Sequence, residues 1–180
     1  MNNFIEYHTD MSTLQQTLVV LKPDAIKRGI VGDIIARFEK VGLHLVAMKM
    51  VQMDANLAHD HYEGIGKLKT RRGQDIFDVN VDFMKSGPVV AMVREGVEAV
   101  ALVRKMVGAT EPKSAAPGTI RGDYSHLSFG YTDENNARLP NLVHASAEIE
   151  EAGPEIKLWF GEDEIYDHEL ESHLYKRGHH

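Results

Sequence analysis

The sequence predicts an α/β (α+β) fold, a four-stranded antiparallel sheet covered by helices. Three observations lead there. Short apolar runs and helical stretches alternate in the order β-α-β, short helices, β-α, long loop, β-α. Strand-helix-strand twice over is the split βαβ signature of ferredoxin-like sheets. A length of 180 residues suits one domain, large enough to bury roughly two-thirds of its unfolded surface. No linker, internal repeat or low-complexity segment divides the chain, so residues 1–180 are expected to form one unit, with an N-terminal arm over 1–16 and a tail over 161–180.

Each element follows from its residues. Thr17-Leu18-Val19-Val20-Leu21 is a fully apolar run, the mark of a buried strand, and Pro23 stops it while disfavouring helix at Lys22. Ile30, Ile34, Phe38 and Val41 recur at helical spacing, and Gly42 ends that helix. A second strand is expected from Leu43 to Val51, then a short helix over Ala55–Tyr62. Residues 64–73 are glycine-bounded and basic, hence loop. Phe77–Lys85 is a weaker helix, Pro88–Val93 a third strand, and Val97–Val107 a helix with Val100, Val103 and Val107 on one face. Residues 109–140 are rich in Gly, Pro, Asp and Asn and too long to be a mere connector, which points to function. Leu142-Val143-His144 is a short strand and Glu148–Leu158 a helix, with the acidic tail from Gly161 packing last.

Composition excludes several classes. No apolar run approaches the ~20 residues that span a bilayer. Met1-Asn2-Asn3-Phe4 lacks the basic region and apolar core of a signal peptide. The absence of cysteine removes disulfides, thiolate metal sites and thiol nucleophiles together. These features fit a cytoplasmic protein with no membrane association. A formal net charge of −7 argues against nucleic acid as a partner and makes cations gathered in a pocket more informative. The ten histidines are scattered. His59 and His61 stand two apart, which is not one helix face, so no resident metal site is expected.

Phosphate-binding loops are absent. There is no Gly-x-x-x-x-Gly-Lys-Ser/Thr run, and Gly64-Ile65-Gly66-Lys67 follows a helix instead of a strand. Any phosphate must therefore be held by side chains. Lys22 stands at a strand end, Arg104 near a helix end, Thr110 just past Gly108, and Arg121 inside Pro117-Gly118-Thr119-Ile120-Arg121-Gly122-Asp123. Guanidinium groups grip phosphate oxygens in bidentate fashion and a hydroxyl adds a donor. His144 ends a short apolar run among small residues, and Glu155 follows eleven positions later. A histidine nucleophile with cations around it is what phosphoryl transfer through a phosphohistidine requires. Singly, each of these residues also fits a solvated surface charge or a structural histidine.

Four ordered blocks carry a resemblance. They are Leu21-Lys22-Pro23-Asp24-Ala25-Ile26-Lys27-Arg28-Gly29, Ser86-Gly87-Pro88-Val89-Val90-Ala91-Met92-Val93, Pro117 to Asp123 as above, and Asn141-Leu142-Val143-His144-Ala145-Ser146. From Thr17 to Phe160 the chain resembles the nucleoside diphosphate kinases. The resemblance implies a phosphorylated His144 supported by Ser146 and Glu155, and a phosphate clamp of Lys22, Tyr62, Arg104, Thr110 and Arg121. It also implies ribose contacts from Lys22 and Asn141, and a base stacked on either Ile76 or Phe77, with Phe77 taken as the candidate. The implied substrates are nucleoside tri- and diphosphates, with Mg2+ bound to the nucleotide phosphates, and the implied assembly is a homo-oligomer, a tetramer or hexamer.

The chain departs from the family in three places. Ala147 stands where an aspartate is usual, removing an outer contact to magnesium. About six extra residues lie between Tyr62 and Met84, and about ten between Gly130 and Pro140, longer than ordinary connections need. A different class of function is a catalytically weak nucleotide- or nucleic-acid-binding regulator on the same fold, for which the run Lys67, Lys69, Arg71 and Arg72 is the best support. A solvated loop accounts for that run more simply in so acidic a chain.

Overall fold

The structure, a computed structural model, describes residues 13–64, 74–135 and 137–168, with the side chains of 64 and 74–76 outside that description. Strands β1 (Leu14–Leu21), β2 (His44–Val51), β3 (Val89–Val97) and β4 (Val143–Ala145) form one sheet in the order β2-β3-β1-β4. All neighbouring pairs are antiparallel. This is the expected split βαβ sheet. The apolar run of β1 is explained by its place: alternate side chains leave a strand on opposite faces, and here both faces are buried. Leu18 and Val20 join Val89, Ala91 and Val93 on the first face, under Ala58, Tyr62, Phe77, Phe83, Ile156 and Trp159. Val19 and Leu21 join Val90, Met92 and Val143 on the second, under Ile34, Phe38, Val103, Val107 and Ile120.

Eight helices cover these faces among the described residues: α1 (Pro23–Lys27), α2 (Val31–Lys40), α3 (Ala55–Gly64), α4 (Gln74–Lys85), α5 (Ala99–Val107), α6 (Ile120–Tyr124), α7 (Phe129–Glu134) and α8 (Ile149–Trp159). Several boundaries differ from the sequence expectation for identifiable reasons. Strand β1 begins at Leu14, inside the stretch assigned to the arm, because Leu14, Gln15 and Gln16 pair with Val97, Gly96 and Glu95. The same pairing keeps Val97 in β3, and the turn falls on Glu98 at φ 50°, so α5 starts at Ala99. Pro23 does not merely end β1; it occupies the first turn of α1, where its missing N–H has no helical partner to lose. The long stretch over 109–140 contains a 3-10 turn at Pro112–Ser114 as well as α6 and α7. In the tail, Glu162–Glu164 forms a 3-10 turn and the Tyr166 N–H donates to the Val46 carbonyl on the edge strand β2 at 2.8 Å. The basic run Lys67–Arg72 lies outside the described residues.

Candidate functional site

His144 lies on β4, paired with Val20 of β1. Its neighbours Val143 and Ala145 enter the second-face core, so strand alternation sends the imidazole to the first face, at the sheet edge. There Nε2 meets Glu155 Oε1 on α8 at 3.0 Å. The other carboxylate oxygen accepts from Ser146 Oγ at 2.6 Å, and Ser146 Oγ in turn accepts from the Leu18 N–H at 3.1 Å. A chain of hydrogen bonds thus runs from the centre of the sheet to the histidine. Burial alone would raise the Glu155 pKa, but the bonds from His144 and Ser146 hold it below the usual carboxylate value. A charged carboxylate accepts only, so the Nε2 facing it carries the proton and Nδ1 keeps its lone pair.

Polar groups gather beside this ring. Lys22 Nζ donates to Asn141 Oδ1 at 2.7 Å, and Asn141 Nδ2 donates to the Thr110 carbonyl at 3.0 Å. Burial, with Arg121 nearby, lowers the Lys22 ammonium to about 8. Arg121 donates to three backbone carbonyls: Asn141 at 3.1 Å, Gly108 at 3.0 Å and Val143 at 2.6 Å. It therefore ties the end of α5, the turn before β4 and β4 itself together, and two of its five N–H groups remain for a ligand. Burial and then Arg104 bring its pKa down to about 10. Arg104 also acts on the Glu155 carboxylate, so its charge is near both groups. Cations this close repel one another, and an anionic ligand would relieve the repulsion.

The backbone that carries Asn141 is strained. Leu142 has φ +68°, a conformation unfavourable for a residue with a Cβ. It is held from both sides: its N–H donates to Asp24 Oδ2 at 3.0 Å, and its carbonyl accepts from the Lys22 N–H at 2.8 Å. The Lys22-Pro23-Asp24 corner thus clamps the Asn141-Leu142 corner. Two glycines allow the approach of the Arg121 loop. A Cβ on Gly108 would fall 2.5 Å from Thr119 Oγ1, and one on Gly122 would fall 2.2 Å from the Ala116 carbonyl oxygen.

The expected residues His144, Ser146, Glu155, Lys22, Asn141, Arg121, Arg104 and Thr110 are brought together. Tyr62 is buried beneath them on α3, its ring 5.2 Å from that of His61, and burial pushes its hydroxyl pKa above the usual value. Phe77 is not among them. It is 2% exposed, with its ring against Tyr62 and His59, because α4 turns it into the first-face core; in this position it presents no face to a base. The side chain of Ile76 lies outside the described residues. Sequence reasoning missed three residues. His61 is 1% exposed with its ring 4.5 Å from that of His144. Trp159 donates to His61. Arg138, from the 130–140 insertion, stacks over Phe83 and acts on Lys22, Asp24 and Tyr62. No spacing marks these three; packing of α3 on α8 and the path of the insertion bring them in.

The residues do not fit a magnesium ion held by protein alone. Glu155 has both oxygens engaged, Asp24 gives one to Leu142, and position 147 is alanine. Mg2+ prefers an octahedral shell of carboxylate, phosphate and water oxygens, so the ion is treated below as part of the nucleotide substrate.

Comparison with known proteins gives one family. The model of the family described as nucleoside diphosphate kinase matches residues 15–165. The chain is 48% identical over 158 residues to a nucleoside diphosphate kinase of Pyrococcus furiosus, covering 88% of this chain and 90% of that one. It is 44% identical over 155 residues to one from Borreliella burgdorferi, covering 86% and 92%. Among solved structures, the transition-state mimic of the nucleoside-diphosphate kinase from Borrelia burgdorferi with bound vanadate and ADP superposes with a TM-score of 0.85, at 43% identity over 88% of this chain and 94% of that one. A halophilic nucleoside diphosphate kinase from Halobacterium salinarum in complex with CDP gives a TM-score of 0.74 at 42% identity, covering 87% and 94%.

Proposed function

The chain belongs to the nucleoside diphosphate kinase family and is a phosphotransferase of that class; we propose that it works through a phosphohistidine on His144. Nδ1 of His144 attacks the γ-phosphorus of a magnesium nucleoside triphosphate. The bond from that phosphorus to the bridging oxygen breaks, its electron pair leaves with the nucleoside diphosphate, and a nitrogen–phosphorus bond forms. A second nucleoside diphosphate then attacks the phosphorus with a terminal phosphate oxygen, and the electron pair of the nitrogen–phosphorus bond returns to Nδ1. Neither half requires a net proton transfer, because Nε2–H remains on Glu155 throughout.

The observation that carries this reading is the His144–Glu155–Ser146–Leu18 hydrogen-bond chain, which leaves one imidazole nitrogen available beside Lys22, Arg104 and Arg121. Positioning and charge stabilisation are the main protein contributions to phosphoryl transfer. Lys22, Tyr62, Arg104, Thr110 and Arg121 supply the phosphate contacts, Lys22 and Asn141 the ribose contacts, and selectivity among bases is low. Arg138 adds positive charge at the same mouth. The protein acts in the cytoplasm as a homo-oligomer; among the described residues no helix is long and apolar enough to cross a membrane. The regulator reading is not favoured, because the polar set around His144 is intact.

The test is the covalent intermediate. Mg-ATP alone should label the chain with one acid-labile, base-stable phosphate, and any nucleoside diphosphate should discharge it with ping-pong kinetics. His144→Asn keeps size and polarity without a nucleophilic nitrogen, so it should bind nucleotide and lose turnover almost entirely, while Glu155→Gln loses less. Label that survives acid, or near-normal turnover in His144→Asn, would falsify the assignment.

A further inference from the structure

His61 is a buried titratable group that touches the His144 ring and has no part in the transfer just described. The two rings stand at 87° with centroids 4.5 Å apart. Trp159 Nε1 donates to His61 Nδ1 at 3.2 Å. An indole only donates, so Nδ1 presents its lone pair to Trp159 and the proton of the neutral ring sits on Nε2, which has no acceptor among the described residues. A ring nitrogen of each histidine and a Glu155 oxygen lie within 4.8 Å of one another, a grouping that suggests a metal. The tautomer removes that possibility for the ring as it is held: one His61 nitrogen is engaged by Trp159 and the other carries hydrogen.

We propose that His61 is a positioning residue for His144, a neutral imidazole whose perpendicular ring fixes the plane in which Nδ1 attacks. The proposal rests on His144 as the phosphoryl carrier. Glu155 holds the His144 ring at one nitrogen, and a single in-line hydrogen bond leaves the ring plane free to tilt. Nδ1 must point along the line of the breaking bond, and small misalignments are costly in rate. A perpendicular ring against that plane limits the tilt. The groups facing His61 are His144 from β4, Glu155 and Trp159 from α8, Lys22 from the end of β1, and Tyr62 from its own helix. Burial first, then His144 and Lys22, hold its pKa well below the usual histidine value. The ring thus adds contact without adding positive charge beside a nucleophile that must stay neutral.

The experiment compares wild type with His61→Ala, His61→Gln and His61→Phe. Active sites are counted by their phosphate label, and the single-turnover rate of labelling by Mg-ATP is measured per counted site. Loss of the ring in His61→Ala or His61→Gln should lower the per-site rate by about tenfold or more with the KM for ATP little changed. His61→Phe restores a ring and should recover most of that loss. The shape of the rate profile across about pH 6 to 9 should be the same in all, because a neutral His61 contributes no titration. A purely structural role would reduce the count of active sites and leave the per-site rate at the wild-type value, which overturns the proposal. So does a His61→Phe rate no better than that of His61→Gln, or a profile that changes shape; comparing His61→Phe with His61→Gln keeps the test decisive should His61→Ala not fold. A wild-type chain that takes no label overturns the His144 reading itself, whereas labelled wild type with normal rates in the ring-less variants overturns only the role of His61.

Discussion

At Lys22 burial and the Arg121 charge act together to lower the ammonium pKa, whereas at Glu155 hydrogen bonds prevail over burial, and the consequence for Lys22 can be measured. Its folded pKa of about 8 lies below the ordinary 10.5, so the folded, nucleotide-free chain binds fewer protons at this site than the unfolded chain. The resulting penalty on folding is fully present below about pH 8 and is relieved as pH rises toward 10.5, so Lys22 makes stability rise across that window. Nucleotide binding should do the reverse. Phosphate charge favours the ammonium, so binding takes up a proton near pH 8 and affinity falls by up to about tenfold per pH unit above it. Calorimetry in buffers of different ionisation enthalpy should detect that proton, and Lys22→Met should abolish it. Equal heats in all buffers at pH 8 would show that the ammonium is not part of the nucleotide site. At this scale much was legible: His144, Ser146, Asn141 and Lys22 sit in short contiguous blocks whose residue types already imply their chemistry. His61 was not, because its spacing from His59 signals nothing and its position depends on how α3 meets Trp159 of α8. The resemblance offered Ile76 or Phe77 as the residue under the base, and α4 turns Phe77 inward.

Among the elements, the corner before β4 is the part most constrained by partners distant in sequence. Leu142 at φ +68° keeps that conformation through the Asp24 carboxylate and the Lys22 N–H. Asp24→Ala leaves the Leu142 N–H without its acceptor, which should cost about 1–3 kcal/mol of stability. Because Asn141 precedes Leu142 and holds Lys22, it should also lower turnover. Asp24→Asn retains a carbonyl acceptor and should stay near wild type in both. Urea unfolding reads the difference as a shift in midpoint at constant slope; coincident curves for wild type and Asp24→Ala would show that the corner is held by other means. The strand β4 itself was visible as Leu142-Val143-His144, but the strain at Leu142 was not, since a leucine in an apolar run reads as ordinary strand. The ends of β1 and β3 were likewise hidden, because Leu14–Gln16 become strand by pairing with Glu95–Val97, and Arg94 and Glu95 by pairing with β2 as well. Pro23 ends β1 and keeps Lys22 extended as its chemistry implies, but that it also opens α1 was not visible.

At the scale of the whole molecule, both faces of the central strands are covered, but one face of the edge strand β2 is exposed among the described residues. The order β2-β3-β1-β4 leaves β2 at one edge, where Met48 and Met50 pair with Met92 and Val90 in register. Those β3 partners lie in the second-face core, yet Met48 is 52% and Met50 64% exposed. The sheet's apolar face therefore continues past the helices that cover it. The split βαβ order was legible because each apolar run has a length and period of its own; the exposed face of β2 was not, because Met48 and Met50 read as ordinary strand residues until the strand order is known. Exposed apolar edges invite pairing with another chain, and a second copy of this chain is the partner the homo-oligomer reading requires. Burying one methionine contributes about 1.5–3 kcal/mol, so Met50→Lys at this edge should raise the dissociation constant of the assembly by roughly tenfold to a hundredfold. Met48→Lys together with Met50→Lys should shift the mass measured by light scattering toward the single chain at low protein concentration. His144 lies on β4 and not on β2, so it should still take its phosphate label in the smaller species. An unchanged mass for the double variant across the dilution series would place the contact between copies elsewhere on the surface.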